Sequence, residues 1–500
     1  MGRFFHKGLL DAERLGCVHP VKAIMIAMAR RRLTSRNIDS ETENPLEEWI
    51  HMKVRQAVKD DKEFRRVLGR SSLSEVSRAD LRQYQMFKFR KLMRYVDENS
   101  VYYHKIMADN KLTPGSFMEF EDLVKFPLTE PASLAEEPFH FLCVSQSKVM
   151  RAFSTSGTSG LKKRLFYTRD DVLNIVDAIS AALKTVGLRE KETLQIMFPA
   201  VTAWDPSLML ESACKVAGLN AVVCSSIDID VQVETMRKNE TRMLIGLTSF
   251  IYRITMLARD KHDLRSLGIK AIICSSEPLS EAMRGELESA WGCKALTQYG
   301  MTEMGLATAI ECTVQDGIHV DEADYLVECV DPETGQHLPD RKDGELVWTS
   351  LNMTGSPLLR YRSYDLSSYI SPPCGCGFRT VGKIGKPKGR IDYTTKFGFG
   401  EKVYPYLFDE AIGSVHGVIS HQVVIDRPSF RDRLTVTVEF NGDLEEAKRL
   451  LQERILAIPE VQSSTENDLM EPLVVNVVGV RSEFVPTKRT LVDNRGQYDK

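Results

Sequence analysis

The sequence lacks an apolar stretch long enough to cross a lipid bilayer. A spanning helix needs roughly 20 consecutive apolar residues, whereas the apolar segment of residues 243–257 is interrupted by Arg253. The sequence also lacks an excess of one charge, because 66 Lys and Arg residues oppose 69 Asp and Glu residues, for a net charge of −3. This balance provides no general attraction to nucleic acid or to an anionic membrane. We therefore expect no nucleic-acid partner and no stable membrane insertion.

A disulfide framework is absent as well. The ten cysteines are scattered along the chain instead of being grouped at regular spacings, and structural disulfides belong mainly to oxidising compartments. The remaining composition, with 43% hydrophobic and 27% charged residues, is ordinary for a soluble globular protein. We therefore expect a protein of the reduced cytoplasm.

The phosphate-binding loop of the form G-x-x-x-x-G-K-[ST] is also missing. The glycine-rich segment that is present, residues 154–164, has only two residues between its glycines. Glycines let a backbone approach a ligand closely, so that consecutive N–H groups can face anionic oxygens. Taken alone, the segment is equally typical of a polyphosphate site and of a flexible solvated loop. Its candidate phosphate contacts are Thr155, Ser156, Gly157, Thr158, Ser159, Gly160 and Lys163.

Helix-like and strand-like segments alternate after this loop. Alternation at this spacing requires crossover connections and a largely parallel sheet, so the predicted fold class is α/β. Ligands of such folds bind at the carboxyl ends of strands, where residues 275–278 and 298–303 place polar side chains. The predicted strands are 193–198, 220–224, 242–247 and 269–274, and the predicted helices are 170–186, 207–216, 231–239, 249–259 and 280–291.

From about residue 389 the pattern changes to that of a small α+β domain. Strands are predicted at 423–425, 434–440 and 473–480, with an amphipathic helix at 444–458. A Gly- and Lys-rich run, residues 382–389, has the composition of a linker. The predicted organisation is an N-terminal extension of unknown role (1–75), a large α/β domain with mainly parallel sheets (76–388) and a small α+β domain (389–500), whose mobility is expected only from the resemblance described below.

Four short motifs follow one another along the chain. They are the loop of residues 155–163, the segment Tyr299-Gly300-Met301-Thr302-Glu303, the segment Arg360-Tyr361-Arg362-Ser363-Tyr364-Asp365 and the segment Gly389-Arg390-Ile391-Asp392. In order and spacing they resemble the motifs of adenylate-forming, AMP-binding ligases. Residues 276–278, 311–319, 373–377 and 492–495 further resemble phenylacetate–CoA ligases and coenzyme F390 synthetase-like proteins. The resemblance covers roughly residues 80–500 and leaves out the first 75 or so.

The resemblance implies ATP-dependent, AMP-forming activation of a carboxylic acid as an acyl-adenylate. It assigns the β- and γ-phosphates to the loop with Thr158, Ser159 and Lys163. It assigns Mg²⁺, which prefers carboxylate and phosphate oxygens, to Glu303, and it makes Thr302 a contact of the α-phosphate. The resemblance further implies that Asp365 accepts the ribose hydroxyls and that Arg390 contacts ribose or phosphate. Glu277, Pro278 and Tyr299, with Gly300, would border the adenine. Asp392 would be the hinge about which the small domain moves.

Ordinary structural interpretations remain beside these roles. An isolated Asp365 is typical of a turn, an isolated Glu303 of a helix N-terminus, and Asp392 of an interdomain turn. The ordered set of motifs, not any single residue, favours the functional interpretation.

The catalytic lysine of the family lies near the C-terminus, in a Gly-Lys-x-x-Arg context. Here the segment is Val485-Pro486-Thr487-Lys488-Arg489, and the glycine is missing. Lys488 reaches the lysine position only with a shift of one residue, because Thr487 occupies it otherwise. We predict that Lys488 is the catalytic lysine. A nucleotide-binding homologue with impaired catalysis is the alternative that this departure leaves open.

A possible ligand set for zinc consists of Cys312 and His319, with six residues between them, and Cys374 and Cys376, with one residue between them. Three thiolates and an imidazole suit a tetrahedral structural Zn²⁺, whereas buried free cysteines are the ordinary alternative. Some members of the family carry a zinc close to these motifs, so the resemblance favours a structural metal site.

The acid is expected to be aromatic or hydrophobic, because Phe198, Trp204 and Met209 lie near a predicted strand end, although they could equally belong to the core. The expected acceptor is the thiol of coenzyme A. An amine or a carrier-protein thiol is the alternative, with the unmatched N-terminal extension as a docking element. No motif indicates the oligomeric state, for which a homodimer is one option.

Overall fold

The structure is a computed structural model that describes residues 35, 38, 44–154, 163–199, 206–398, 400–483 and 491–495. Residues 155–162, Trp204 and Lys488, which the sequence singled out, lie outside the described residues. Among the described helices, none combines the length and the apolar character that crossing a lipid bilayer requires.

The large domain is built around a nine-stranded mixed sheet with the strand order β13-β14-β9-β8-β7-β6-β5-β3-β4. Its members are β3 (Thr193–Met197), β4 (Asn220–Val223), β5 (Thr241–Leu247), β6 (Ala271–Ser275), β7 (Lys294–Tyr299), β8 (Ala309–Glu311), β9 (Ile318–Val320), β13 (Tyr369–Ile370) and β14 (Lys383–Ile384). The strands from β4 to β7 pair in parallel, and the strands from β8 onward pair antiparallel. The α/β class is confirmed, and every predicted strand and helix between residues 170 and 291 is present within two residues of its expected bounds.

Helices surround this sheet and precede it. Those of the large domain are α1 (Pro45–Asp60), α2 (Lys62–Leu68), α3 (Arg78–Asn99), α4 (Val101–Asp109), α5 (Pro131–Glu136), α6 (Arg169–Thr185), α7 (Ser207–Ala217), α8 (Ile229–Lys238), α9 (Thr248–Ala258) and α10 (Glu281–Trp291). The start of α6 is fixed by a capping box between Thr168 and Asp171. Such reciprocal bonds satisfy N–H groups that the first helical turn leaves free.

Two smaller sheets complete the large domain. A hairpin joins β1 (Val149–Ser154) to β2 (Arg164–Thr168), and the glycine-rich loop is the connection between them. An antiparallel sheet has the order β10-β11-β12-β15, with β10 (Tyr325–Val330), β11 (Gly344–Ser350), β12 (Tyr361–Ser367) and β15 (Gly389–Arg390). The expectation of mainly parallel sheets therefore applies to only part of the domain.

The run of residues 382–389 is not a free linker. Its residues Lys383 and Ile384 form β14, which pairs with β9 and β13, and Gly389 pairs with Leu366 of β12. Gly382 and Gly385 serve close packing, since a Cβ on Gly382 would lie 2.0 Å from the hydroxyl oxygen of Tyr369 and one on Gly385 would lie 2.5 Å from Oγ of Ser368. Linker composition therefore misled the prediction at this point.

The described part of the predicted N-terminal extension packs into the core of the large domain. Trp49, Ile50 and Val54 of α1 are buried in the same apolar cluster as the central sheet. The indole Nε1 of Trp49 donates to Oδ2 of Asp177 on α6 at 2.9 Å. The core thus shows no break at residue 75/76.

The small domain carries a four-stranded sheet of order β20-β19-β18-β21 and its own apolar core. Its elements are β16 (Thr395–Phe397), β17 (Glu401–Val403), α11 (Pro405–Gly413), β18 (Val418–Asp426), β19 (Arg433–Phe440), α12 (Leu444–Leu456), α13 (Pro459–Glu466), β20 (Val474–Val478) and β21 (Leu491–Asp493). Arg253 of α9 pairs with Glu439 of β19 at 2.5 Å, and both side chains are buried. The carboxylate of Glu410 accepts from the backbone N–H groups of Glu281 and Ala282, at the start of α10.

Candidate active site and metal centre

The end of β7 provides the first part of the candidate active site. The ring of Tyr299 is buried and stacks on Trp348, with centroids 5.6 Å apart. The next residue must be glycine, because a Cβ on Gly300 would lie 1.8 Å from the carbonyl oxygen of Leu306. The chain then forms a 3₁₀ turn, Thr302–Met304. This close packing fixes the direction in which Glu303 leaves the strand end.

Glu303 and Lys163 meet beside this turn. Their side chains form an ion pair in which both are largely shielded from solvent. The hydroxyl of Tyr361 donates to Oε1 of Glu303 at 3.1 Å, and Nζ of Lys163 lies 3.2 Å from the same hydroxyl oxygen. The structure therefore brings together side chains from three of the four motifs. Tyr361 belongs to the third motif, but the sequence reasoning did not select it; its position inside that motif was the available signal.

Asp365 lies opposite Arg390 in the antiparallel pairing of β12 with β15. The hydroxyl of Tyr299 donates to Oδ2 of Asp365 at 2.5 Å. Burial raises the pKa of Asp365 to about 6, although Arg390 and the bond from Tyr299 oppose that increase. The second and third motifs are thus joined by a direct hydrogen bond, and the fourth motif lies against the third.

Arg390 turns its guanidinium group toward the predicted hinge residue. Its Nε and Nη2 atoms donate to the two carboxylate oxygens of Asp392 at 2.8 and 2.9 Å. This fork-like pairing is the strong geometry for an arginine and a carboxylate. Arg390 and Asp392 therefore form one unit at the junction of the two domains.

Glu277 and Pro278 follow β6 at the neighbouring strand end. The carboxylate of Glu277 accepts from the N–H of Ser249 at 2.8 Å, at the start of α9. Pro278 is exposed, and Ser276 has a φ of 68°, in the left-handed region. Glu277 therefore stabilises the start of α9, and this role is independent of any contact with a ligand.

Phe198 and Met209 are both buried in the core of the large domain. Their burial agrees with the alternative interpretation of these residues as core, and Trp204 lies outside the described residues. The expectation of an aromatic or hydrophobic acid gains no support from them.

The four residues predicted to bind zinc converge. One potential ligand atom from each of Cys312, His319, Cys374 and Cys376 lies within 4.8 Å of the others. Sγ of Cys312 is 4.0 Å from Sγ of Cys374, and Sγ of Cys376 is 3.3 Å from Nε2 of His319. Around a tetrahedral zinc with bonds of about 2.0–2.3 Å, ligand atoms are roughly 3.5–3.8 Å apart. The donor set and its spacing fit this metal.

A lysine lies behind the cluster. Nζ of Lys383 is 3.5 Å from Sγ of Cys374 and 2.9 Å from Oδ2 of Asp316, and the lysine side chain is almost fully buried. Its charge would offset part of the negative charge of thiolates bound to a metal. The ring of His319 stacks on Phe378 at 3.9 Å, and its Nδ1 has no hydrogen-bond partner among the described residues.

The sequence profile of the AMP-binding enzyme family matches residues 137–355. The phenylacetate–coenzyme A ligase of Thermus thermophilus is 28% identical over 372 residues, which cover 73% of this chain and 83% of that protein. Residues 137–355 of this chain are thus similar to the AMP-binding enzyme family. The Escherichia coli protein of the same name is 26% identical to this chain over 382 residues, or 75% of this chain and 86% of that protein. The resemblance predicted from the motifs is confirmed.

Solved structures share the fold of this chain. A 2-hydroxyisobutyryl-CoA ligase in the postadenylation state, in complex with 2-HIB-AMP, has a TM-score of 0.73 and 21% identity, over 85% of this chain and 91% of that chain. The same ligase with 2-HIB-AMP and CoA, in the thioesterification state, has a TM-score of 0.60 and 22% identity, over 84% and 91% of the chains.

Proposed function

We propose that this protein activates a carboxylic acid with ATP and then transfers the acyl group to coenzyme A. The observation that carries the proposal is the convergence of Lys163, Glu303 and Tyr361 beside the Tyr299–Asp365 pair. This arrangement offers a cation and a buried carboxylate next to a second carboxylate that can accept sugar hydroxyls. The similarity to phenylacetate–CoA ligases supports the same chemistry.

In the first half-reaction, a carboxylate oxygen of the acid attacks the α-phosphorus of ATP. The bond from that phosphorus to the bridging oxygen breaks, and pyrophosphate leaves with the electron pair. Lys163, with the preceding loop, holds the β- and γ-phosphates, and Thr302 contacts the α-phosphate. Fixed cationic and polar groups aimed at the developing charge lower the barrier more than they would in water.

Asp365 accepts the ribose hydroxyls, since a carboxylate can accept from two donors at once. Tyr299, together with Glu277 and Pro278, borders the adenine, and Arg390 contacts ribose or phosphate. Glu303 is the carboxylate suited to hold Mg²⁺, which when bound neutralises phosphate charge. These assignments follow the family motifs residue by residue.

In the second half-reaction, the thiol sulfur of CoA attacks the acyl carbon. A thioester forms, the bond to the phosphate oxygen of AMP breaks, and the thiol proton is released. The small domain turns about Asp392 between the two half-reactions. An aromatic or hydrophobic acid is the proposed substrate class, and an amine or a carrier-protein thiol is the acceptor to be tested against CoA.

A structural Zn²⁺ held by Cys312, His319, Cys374 and Cys376 belongs to the proposal. Its role is structural because the four side chains fill a tetrahedral set and leave no position for substrate. The proposed location is the cytoplasm, where thiols stay reduced.

Pyrophosphate exchange into ATP, across a panel of carboxylic acids, tests the first half-reaction. Exchange with an aromatic or hydrophobic acid is expected; its absence with every acid would indicate an enzyme with impaired catalysis. Product analysis with CoA, amines and carrier proteins then identifies the acceptor. Lys488→Ala should abolish exchange, and Arg489→Ala is the neighbouring control.

A further inference from the structure

The turn that carries two of the proposed zinc ligands is held from outside by the first described helix of the chain. Two backbone hydrogen bonds close the turn. The N–H of Cys374 donates to the carbonyl oxygen of Phe378 at 2.9 Å, and the N–H of Gly377 donates to the carbonyl oxygen of Cys374 at 3.1 Å. The ring of Phe378 in turn lies against the ligand His319. The position of residue 378 therefore influences ligands on both sides of the metal site.

Glu47 of α1 accepts hydrogen bonds from the residues directly after Phe378. Its carboxylate accepts from the backbone N–H groups of Arg379 and Thr380 at 2.9 and 2.7 Å, and from Oγ1 of Thr380 at 2.8 Å. Glu47 is only 6% exposed. A buried carboxylate with this many donors holds a backbone firmly, because hydrogen bonds to a charged acceptor are stronger than those between neutral groups.

Two neighbours of Glu47, His51 in α1 and Asn44 directly before it, also contact this segment. Nε2 of His51 lies 2.7 Å from Oγ1 of Thr380, which donates to Glu47 and therefore accepts from the imidazole. A Cβ on Gly377 would lie 3.0 Å from Nδ2 of Asn44, so the helix start lies close against the turn. We call Asn44, Glu47 and His51 the N-terminal clamp.

The clamp is anchored in the large domain independently of the turn. Trp49 donates to Asp177, and Nζ of Lys53 pairs with Asp324 at 2.6 Å. A rigid helix that binds backbone next to metal ligands limits how far those ligands can separate. We propose that the N-terminal clamp positions the Cys374–Cys376 turn for metal retention and that Glu47 is its principal positioning residue. This inference rests on the metal site under the proposed function, and it gives the described part of the N-terminal segment a role.

The test measures zinc in the purified full-length protein and its release to a chromophoric chelator. Outer contacts of metal sites change affinity by roughly 10- to 100-fold. We expect Glu47→Ala to release zinc about tenfold faster than wild type. Glu47→Gln, which keeps one acceptor oxygen, should be intermediate. The matched control is Glu48→Ala, because Glu48 lies on the same helix and pairs with Arg55 instead of the turn.

Trp49→Phe distinguishes positioning of the turn from a general contribution of α1 to stability. This variant loses the bond to Asp177 but leaves the clamp in place. If zinc release simply follows thermal stability, this variant will release zinc as fast as Glu47→Ala, and the inference is overturned. Release at the wild-type rate from both Glu47 variants overturns it as well. Should Glu47→Ala not fold, Glu47→Gln and Thr380→Val carry the comparison. Wild-type protein without zinc would reject the metal centre itself, a result distinct from a zinc-loaded protein that is indifferent to Glu47.

Discussion

Lys163 and Glu303 neutralise each other beside the end of β7, and the hydroxyl of Tyr361 contacts both. The proposed reaction needs them separately, Lys163 for the phosphates of ATP and Glu303 for the cation that accompanies those phosphates. Binding of Mg²⁺ and ATP would therefore exchange one internal ion pair for two external ones. Neither side chain would remain as an unpaired buried charge in either state, which is the costly situation.

Glu303→Gln removes the charge while keeping the shape of the side chain. We expect pyrophosphate exchange to fall by about 100-fold or more, because loss of one preorganised electrostatic contact costs roughly that much. The Mg²⁺ concentration needed for half-maximal exchange should rise. Glu333→Gln, at an exposed turn, is the control, and exchange equal to wild type in Glu303→Gln would contradict the assigned role.

The raised pKa of Asp365 predicts that the KM for ATP depends on pH. Its pKa is raised from 3.8 to about 6, so the carboxylate that accepts ribose hydroxyls is mostly present only above that pH. We expect the KM for ATP to rise as the pH falls through about 6. In Asp365→Asn the KM should be high and should no longer change over this range.

The effect of Asp365 on stability has the opposite sign. A carboxyl whose pKa is higher in the folded protein binds its proton more tightly there. Its stabilising contribution is complete below pH 3.8 and is lost as the pH rises through about 6. Urea unfolding of wild type and Asp365→Asn at pH 5 and 7 measures the difference, and a larger Asp365 contribution at pH 7 would be inconsistent with the shift.

Gly300→Ala tests the close approach at the end of β7. Its added methyl group would lie 1.8 Å from the oxygen of Leu306, so the strand end must move. Overpacking of this kind typically costs about 1–3 kcal/mol, and we expect a lower Tm together with a large loss of exchange activity. Gly285→Ala is the matched control, because a Cβ on Gly285 meets nothing within 4 Å.

Cys374→Ser tests the ligand set. We expect the purified variant to contain less zinc and to unfold at a lower temperature, because metal binding to a structural site contributes to folding free energy. Cys214→Ser, at a buried cysteine in α7 away from the cluster, separates loss of metal from loss of a core thiol. Full metal content in Cys374→Ser would be evidence against the proposed ligands.

The sequence pattern predicted the alternating part of the large domain because its helices bury one face and its central strands β3, β5 and β6 are buried along almost their whole length. It could not predict how β14 joins the sheet, since Gly382 and Lys383 look like linker residues until Tyr369 and Asp316 are placed beside them. The motifs indicated Glu303 and Asp365, but the contact of Tyr361 with Glu303 depends on a long-range arrangement. The roles of residues 155–160 and of Lys488 stay predictions, because those residues lie outside the described part of the chain.

The Arg253–Glu439 pair joins the two domains with both charges buried. A small displacement would separate the charges before water could reach them, and this is the most unfavourable arrangement for an ion pair. A complete turn of the small domain would hydrate both side chains, and their hydration would largely offset the lost attraction. If the small domain turns as proposed, the pair would oppose partial opening much more than full rotation, which would favour two discrete domain positions with few molecules in between.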